Sequence, residues 1–152
     1  MGPQVPVVPE GWYDDPDEDL GTDGLVFTID GREWPFKTKA LVMLHKPAGY
    51  ECSMKPRHHP SVMSLLPLPL RVRGLQPVGR LDEDTTGLLL LTDDGKFIHR
   101  MSSPRHHVPK VYEVGVKHPL DDKQVSRLLE GVVLDDDPKP VRAAACEAVA
   151  PH

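Results

Sequence analysis

The apolar pattern of the chain is clearest at Leu88-Leu89-Leu90-Leu91, which follows directly on a polar stretch, Gly79-Arg80-Leu81-Asp82-Glu83-Asp84-Thr85-Thr86-Gly87. Four leucines in succession leave neither face polar, which predicts a strand buried on both sides. Leu41-Val42-Met43-Leu44 has the same character and predicts a second buried strand, ended by the Pro- and Gly-bearing loop His45-Lys46-Pro47-Ala48-Gly49 and resumed over Tyr50-Glu51-Cys52-Ser53. Between Lys110 and Val116 the pattern alternates, with Val111 and Glu113 on one face and Tyr112, Val114 and Val116 on the other, which predicts a strand of period two. Leu25 to Ile29 is a shorter strand turned by Asp30-Gly31. Val132-Val133-Leu134 and the alanine-rich Val141 to Val149 are the last two.

Helices are few and short. Ser61 is placed to cap one that runs to Leu66 and is stopped by Pro67, and Pro67-Leu68-Pro69-Leu70 reads as a connector. A turn at Thr92-Asp93-Asp94-Gly95 precedes a helix from Lys96 to Met101. Asp121 caps another, carrying Val125, Leu128 and Leu129 and ended by Gly131. Strands outnumber helices, and the helices come late and singly. The expected fold is therefore α+β, a mixed or mostly antiparallel sheet with a few short helices.

The amino-terminal residues stand apart. Pro3, Pro6, Pro9 and Pro16 interrupt any regular element, and Asp14, Asp15, Asp17, Glu18 and Asp19 repel one another. Residues 1–24 are expected to be a disordered acidic tail and residues 25–40 a linker, leaving 41–152 as the folded domain. A length of 152 residues suits one domain, and 39% hydrophobic with 27% charged residues is ordinary for a soluble protein. Seventeen prolines argue against a helix bundle. No apolar stretch approaches the roughly 20 residues of a membrane span, and no basic-then-apolar leader opens the chain. Cys52 and Cys146 have no metal-type spacing, so a reducing cytoplasm is the expected compartment.

The net charge of -5 looks wrong for a nucleic-acid partner, but its distribution does not. Residues 1–40 carry -6, residues 41–120 carry +4 and residues 121–152 carry -3, and seven of the eight histidines fall in the middle segment. The segment with the conspicuous motifs is thus the basic one, as an RNA-facing surface requires.

Candidate chemistry concentrates there. Asp82 and Asp84 sit where the polar stretch meets the leucines, and a carboxylate tethered to a strand has the support that catalysis needs; capping or turn formation is the plainer role for such aspartates. Lys46 is a loop lysine able to meet a phosphate or simply to be solvated. Lys55, Arg57, His58 and His59 form a basic loop, and the adjacent histidines point apart, a poor metal pair. Arg105, His106 and His107 form a second basic loop suited to phosphate or to the neighbours of a flipped-out base. Metal binding there lacks a cysteine or carboxylate at ligand spacing.

Gly79-Arg80-Leu81-Asp82 with Asp84-Thr85-Thr86-Gly87-Leu88-Leu89 resembles the catalytic signature of the RsuA/RluB-type pseudouridine synthases. Ser103-Pro104-Arg105-His106-His107 with Lys110-Val111-Tyr112 is similar to the RsuA branch, which acts on small-subunit (16S) ribosomal RNA. His45-Lys46-Pro47-Ala48-Gly49-Tyr50 resembles the family's Asn-Lys-Pro-x-Gly stretch. Three blocks in the family's order are far more specific than one.

The resemblance implies an isomerase that breaks a uridine's N-glycosidic bond, turns the base and rejoins it through carbon. Nothing is oxidised and no group is donated, so no cofactor is implied. Asp82 would be the carboxylate at the sugar, as a nucleophile at C1′ or a base at the 2′ position. Tyr112 would stack on the uracil and assist proton removal, and Arg80, two residues from Asp82, would supply positive charge. Lys46, Arg105, His106, His107 and Lys110 would meet the RNA, either free 16S rRNA or an immature small subunit. Family members also carry an amino-terminal S4 module and a later Lys/Arg-rich motif, and both are expected to be lacking here. That departure keeps a second reading open, a non-catalytic RNA-binding module derived from the same fold.

Overall fold

The computed structural model describes residues 21–135 and 137–149, so the acidic tail expected over residues 1–24 lies largely outside the described residues. Two compact units divide the chain, one ending at Pro109 and the other beginning at Lys110.

The first unit opens with a hairpin, β1 (Val26–Ile29) against β2 (Arg32–Pro35), within the stretch expected to be a linker. Its two-residue turn, Asp30-Gly31, holds both residues at positive φ, 49° and 74°. That backbone suits the twist of a hairpin and favours an Asp-Gly pair. The central sheet has three antiparallel strands in the order β3 (Leu41–Lys46), β5 (Gly87–Thr92) and β4 (Gln76–Pro77). In β3–β5, Leu44 faces Leu89, His45 faces Leu88 and Lys46 faces Gly87. Between β3 and β4 lie a 3₁₀ turn, Val62–Leu65, and a short helix, α1 (Leu68–Val72).

The Ser61 hydroxyl caps the 3₁₀ turn by accepting from Met63 N, as the sequence suggests. The expected connector over 67–70 is instead the start of α1. Pro69 stands in its first turn, where the missing N–H costs nothing. The core beneath the sheet is Cys52, Val62, Met63, Leu66, Leu75, Leu89 and Leu91, with Val42, Leu44, Tyr50 and Leu81 packed on it.

The leucine run does not lie between two covered faces. Leu89 and Leu91 are buried, but Leu88 is 64% exposed, and across the sheet Met43 is 77% exposed. The expectation of strands buried on both faces is therefore corrected for β3 and β5. Among the described residues core packs on one side, so an unbroken apolar sequence still divides by the strand's period of two. The same alternation places Val42, Leu44 and Lys46 on the inner face of β3 and Leu41, Met43 and His45 on the outer.

Beyond β5, Asp94 caps α2 (Gly95–Ser102) by accepting from Lys96 N and Phe97 N. Asp93 ties the corner together: it accepts from Ala40 N at 2.9 Å and from Arg73 Nε and Nη2 at 3.0 and 2.6 Å. Burial pushes the Asp93 carboxyl up, but the Ala40 amide and the Arg73 guanidinium outweigh it and hold the group below its usual range.

The second unit contains α3 (Asp122–Glu130) and a hairpin of β6 (Val132–Leu134) with β7 (Asp137–Val141). Asp121 and Gln124 form a reciprocal capping box, and Gly131 ends the helix. The final strand expected over 141–149 lies earlier, over 137–141, where Pro138 and Pro140 stand in a two-stranded hairpin, each strand of which is an edge among the described residues. Residues 110–116 form no strand: Val111 is 97% exposed, and no backbone ladder joins the segment to another among the described residues. Alternation alone gives an extended chain; a strand also needs a neighbour to pair with.

Candidate active site

Asp82 stands in the loop that leads into β5. Its carbonyl accepts from Thr85 N at 3.1 Å, which closes a turn over 82–85, and its carboxylate is exposed to solvent. The turn is fastened from below. Lys46, at the inner end of β3, is fully buried, and its ammonium donates to the carbonyls of Pro47 (3.1 Å), Glu83 (2.9 Å) and Thr85 (2.8 Å). An ammonium has three protons, and each has one oxygen. The Glu83 carbonyl also accepts from Gly49 N at 2.8 Å, so the two loops are joined through main chain as well. On the other flank Leu81 N points at the buried Cys52 Sγ, 3.4 Å away.

This overturns one expectation. Lys46 is not a phosphate contact, because no part of it reaches the surface. The period of β3 turns position 46 inward beside Val42 and Leu44, and the loop carbonyls replace the water that a lysine would otherwise keep.

A second loop adjoins the Asp82 turn. Glu51 forms an isolated bridge with Ser61 and not the strand expected over 50–53. Its carboxylate accepts from three successive main-chain amides, Arg57 N at 3.0 Å, His58 N at 2.8 Å and His59 N at 2.8 Å. Those amides of His59, His58 and Arg57, in that order of effect, hold the Glu51 carboxyl at about 2, far below its ordinary value. His59 Nε2 lies 3.5 Å from Glu83 Oε2, an ion pair whenever the imidazole is protonated. Glu51 escapes a reading of the sequence, since acceptance from residues six to eight positions ahead leaves no periodic signal.

The remaining candidates are placed as follows. Arg80 is exposed on the Asp82 loop and forms no ion pair with Asp82 among the described residues. Arg105, His106 and His107 are exposed on a 3₁₀ turn (Pro104–His106) capped by Ser103, and His107 adopts φ 46° at its end. The His106 ring stands edge-on to His99 with centroids 6.2 Å apart. Lys110 and Tyr112 belong to the second unit, both exposed, Tyr112 at 55%.

The sequence profile of the RNA pseudouridylate synthase family matches residues 40–143, a span that contains the Asp82 turn, its Lys46 fastening and both basic loops. The chain belongs to this family. Ribosomal small subunit pseudouridine synthase A of Yersinia pestis is 43% identical over 110 residues, which cover 72% of this chain and 46% of that protein. The protein of that name from Escherichia coli K12 is 42% identical over 109 residues (72% and 47%), and that from Vibrio parahaemolyticus 37% over 127 (84% and 54%). The chain thus spans about half the length of the curated relatives it matches. A solved structure described as a pseudouridylate synthase superposes with a TM-score of 0.65 at 27% identity, covering 97% of this chain and 62% of that one. The α+β fold with antiparallel sheets and few helices is the fold of this family.

Proposed function

We propose that the chain forms pseudouridine in RNA, isomerising a uridine of small-subunit (16S) ribosomal RNA, with Asp82 as the catalytic carboxylate and residues 41–152 as the catalytic domain. One observation supports this reading above the others. An exposed carboxylate crowns a turn whose main chain is fixed by a fully buried lysine, inside the segment that matches the family. A lysine sequestered to hold three carbonyls is a costly device for an ordinary turn, and it suits a carboxylate that must be held in one position. The names of the relatives support the substrate class.

The reaction conserves every atom. The bond from N1 of uracil to C1′ breaks, the ring turns, C5 bonds to C1′, and the proton leaving C5 is balanced by one gained at N1. Asp82 acts at the sugar, by attack on C1′ or by removal of the 2′ proton, and both routes need it ionised. Arg80, on the same loop, supplies positive charge on the Asp82 side. By resemblance Tyr112 receives the uracil against its ring and its hydroxyl takes part in moving the C5 proton. Arg105, His106, His107 and Lys110 meet the RNA chain. Extrusion of the target nucleotide costs a few kcal/mol, which contacts to phosphate offset. The reaction has no redox step and transfers no group, so the proposal includes no cofactor, and cytoplasm is the compartment where ribosomal RNA would be met.

The test is Asp82→Asn. Pseudouridine in a small-subunit rRNA transcript, read by carbodiimide adduct formation and primer extension, should disappear while RNA affinity is kept. Full activity in the Asn variant would overturn the assignment. RNA binding by the unaltered chain without isomerisation would point to the RNA-binding module.

A further inference from the structure

The basic loop of residues 55–59 has no part in the chemistry above, yet it is fastened by a set of hydrogen bonds of its own. Glu51 gathers its three amides. Lys55 N donates to Ser53 Oγ at 3.0 Å, and Ser61 Oγ donates back to Ser53 O at 2.6 Å, which closes the loop at its base. The isolated bridge of Glu51 with Ser61 completes the frame.

The charge arrangement is the informative part. Glu51 is the one carboxylate within the segment 50–61, and both its oxygens are taken by main chain. The ammonium of Lys55 and the guanidinium of Arg57 remain exposed, without ion pair or hydrogen bond among the described residues, and the exposed imidazole of His58 has only a minor Coulombic interaction with Glu51. A loop that only had to connect would gain by letting its acid neutralise a neighbouring base. This one uses the acid to stiffen the backbone and leaves its cations facing outward. His59, the last of the series, reaches Glu83 at 3.5 Å, the residue next to Asp82.

We propose that residues 55–59 are a docking element for phosphates of the RNA strand flanking the nucleotide that enters at Asp82, pre-formed by Glu51 and aligned with the Asp82 turn through His59. The inference rests on the proposed function for its partner, RNA. The ligand atoms are backbone phosphate oxygens, so the loop contributes affinity and register, not base identity. Glu51 is a positioning residue: it touches no RNA and acts by lowering the ordering cost of the cations it displays.

Two variants of the full chain test this, with a fluorescently labelled small-subunit rRNA transcript titrated over a series of salt concentrations. Lys55→Ala with Arg57→Ala removes two cations; the slope of log affinity against log salt should fall by about 1.4 to 1.8, at roughly 0.7 to 0.9 per phosphate contact, and binding should weaken. Glu51→Gln gives the opposite sign from simple charge counting. Losing an acid should tighten RNA binding if only net charge matters; the proposal expects binding several-fold weaker with the salt slope retained. The inference is overturned by a double variant that keeps the original affinity and slope. It is equally overturned by a folded Glu51→Gln chain that binds as tightly as the original or more so. Isomerisation by the unaltered chain, measured in parallel, separates the two ideas. Unchanged binding by variants of an active enzyme removes the loop alone, whereas a shifted slope in a chain that never isomerises removes the catalytic reading alone.

Discussion

The Lys46 ammonium lies 2.9 Å from the carbonyl oxygen of Glu83, a part-buried bond made by a lysine with no exposed area. Strand β3 thereby fixes the residue next to Asp82, although Lys46 and Glu83 lie 37 positions apart in sequence. Replacement of Lys46 by Met, a similar volume without donors, removes the donor from the carbonyls of Pro47 and Thr85, while the Glu83 carbonyl keeps Gly49 N. Each buried unsatisfied group costs about 1–3 kcal/mol, less the relief of no longer burying a charge. Lys46→Met should destabilise the first unit by about 2–4 kcal/mol in urea unfolding. Under the proposed function it should also abolish pseudouridine formation under conditions where the variant is still folded, which separates positioning from mere stability. Retained activity would show that the Asp82 turn holds itself.

Asp93 and Arg73 make the counterpart lock at the other end of the sheet. Two guanidinium bonds and the Ala40 amide converge on one carboxylate. The depressed titration of Asp93 means that it favours the ionised state in the folded chain. Asp93→Asn keeps the size and removes the charge, and should cost about 1.5–3 kcal/mol, the usual worth of hydrogen bonds to a charged group. Arg73→Ala should cost a similar amount, and the double variant less than the sum of the two. Chemical unfolding of the four proteins provides the cycle.

The two faces of β5 should respond very differently to substitution. Leu89 is 2% exposed and joins the core, while Leu88, one residue earlier, stands outward. Leu89→Ala should cost about 2–5 kcal/mol through lost burial and a residual cavity. Leu88→Ser should change the stability of this chain by less than about 0.5 kcal/mol. Thermal denaturation of the pair measures directly whether the leucine run is covered on one side or both.

That run illustrates how far the sequence could be read. Leu88 to Leu91 announced a strand, and Ser61 and Asp121 announced their caps, because both signals are local and each is carried by a few neighbouring residues. Burial of the outer face is not a local property. It depends on what packs there, and four leucines look alike whether one face or two is covered. Lys46 departs from its expected place in a loop for a related reason. Its place after Leu44 and before Pro47 suggested a loop, whereas counting by two from Val42 already set it on the inner face. Residues 110–116 alternate as a strand should, yet pairing requires a partner that alternation does not supply. The Glu51 nest was invisible, since it joins an acid to amides six to eight residues ahead with no side-chain signature at the donor positions. The motif around Asp82 was legible as a resemblance, while the means of holding it was legible only in three dimensions.

Glu51 gives the last expectation, in acid. Its carboxyl is held at about 2 in the folded chain against an ordinary value of 4.5, by the amides of His59, His58 and Arg57. A carboxyl with a depressed value binds a proton more readily in the unfolded chain than in the folded one. Its stabilising contribution is therefore complete above about 4.5 and is lost progressively as the pH falls toward 2. Asp93 and Asp94 are shifted in the same direction, so the unaltered chain should lose stability steadily across that window. Glu51→Gln cannot titrate at this position and should show a shallower acid limb when unfolding free energy is followed against pH. The difference between the two curves should be confined to the range from 4.5 down to 2. A Gln variant whose stability falls as steeply as that of the unaltered chain would mean that the three amides do not hold the carboxylate in solution, and the basic loop would then lack its frame.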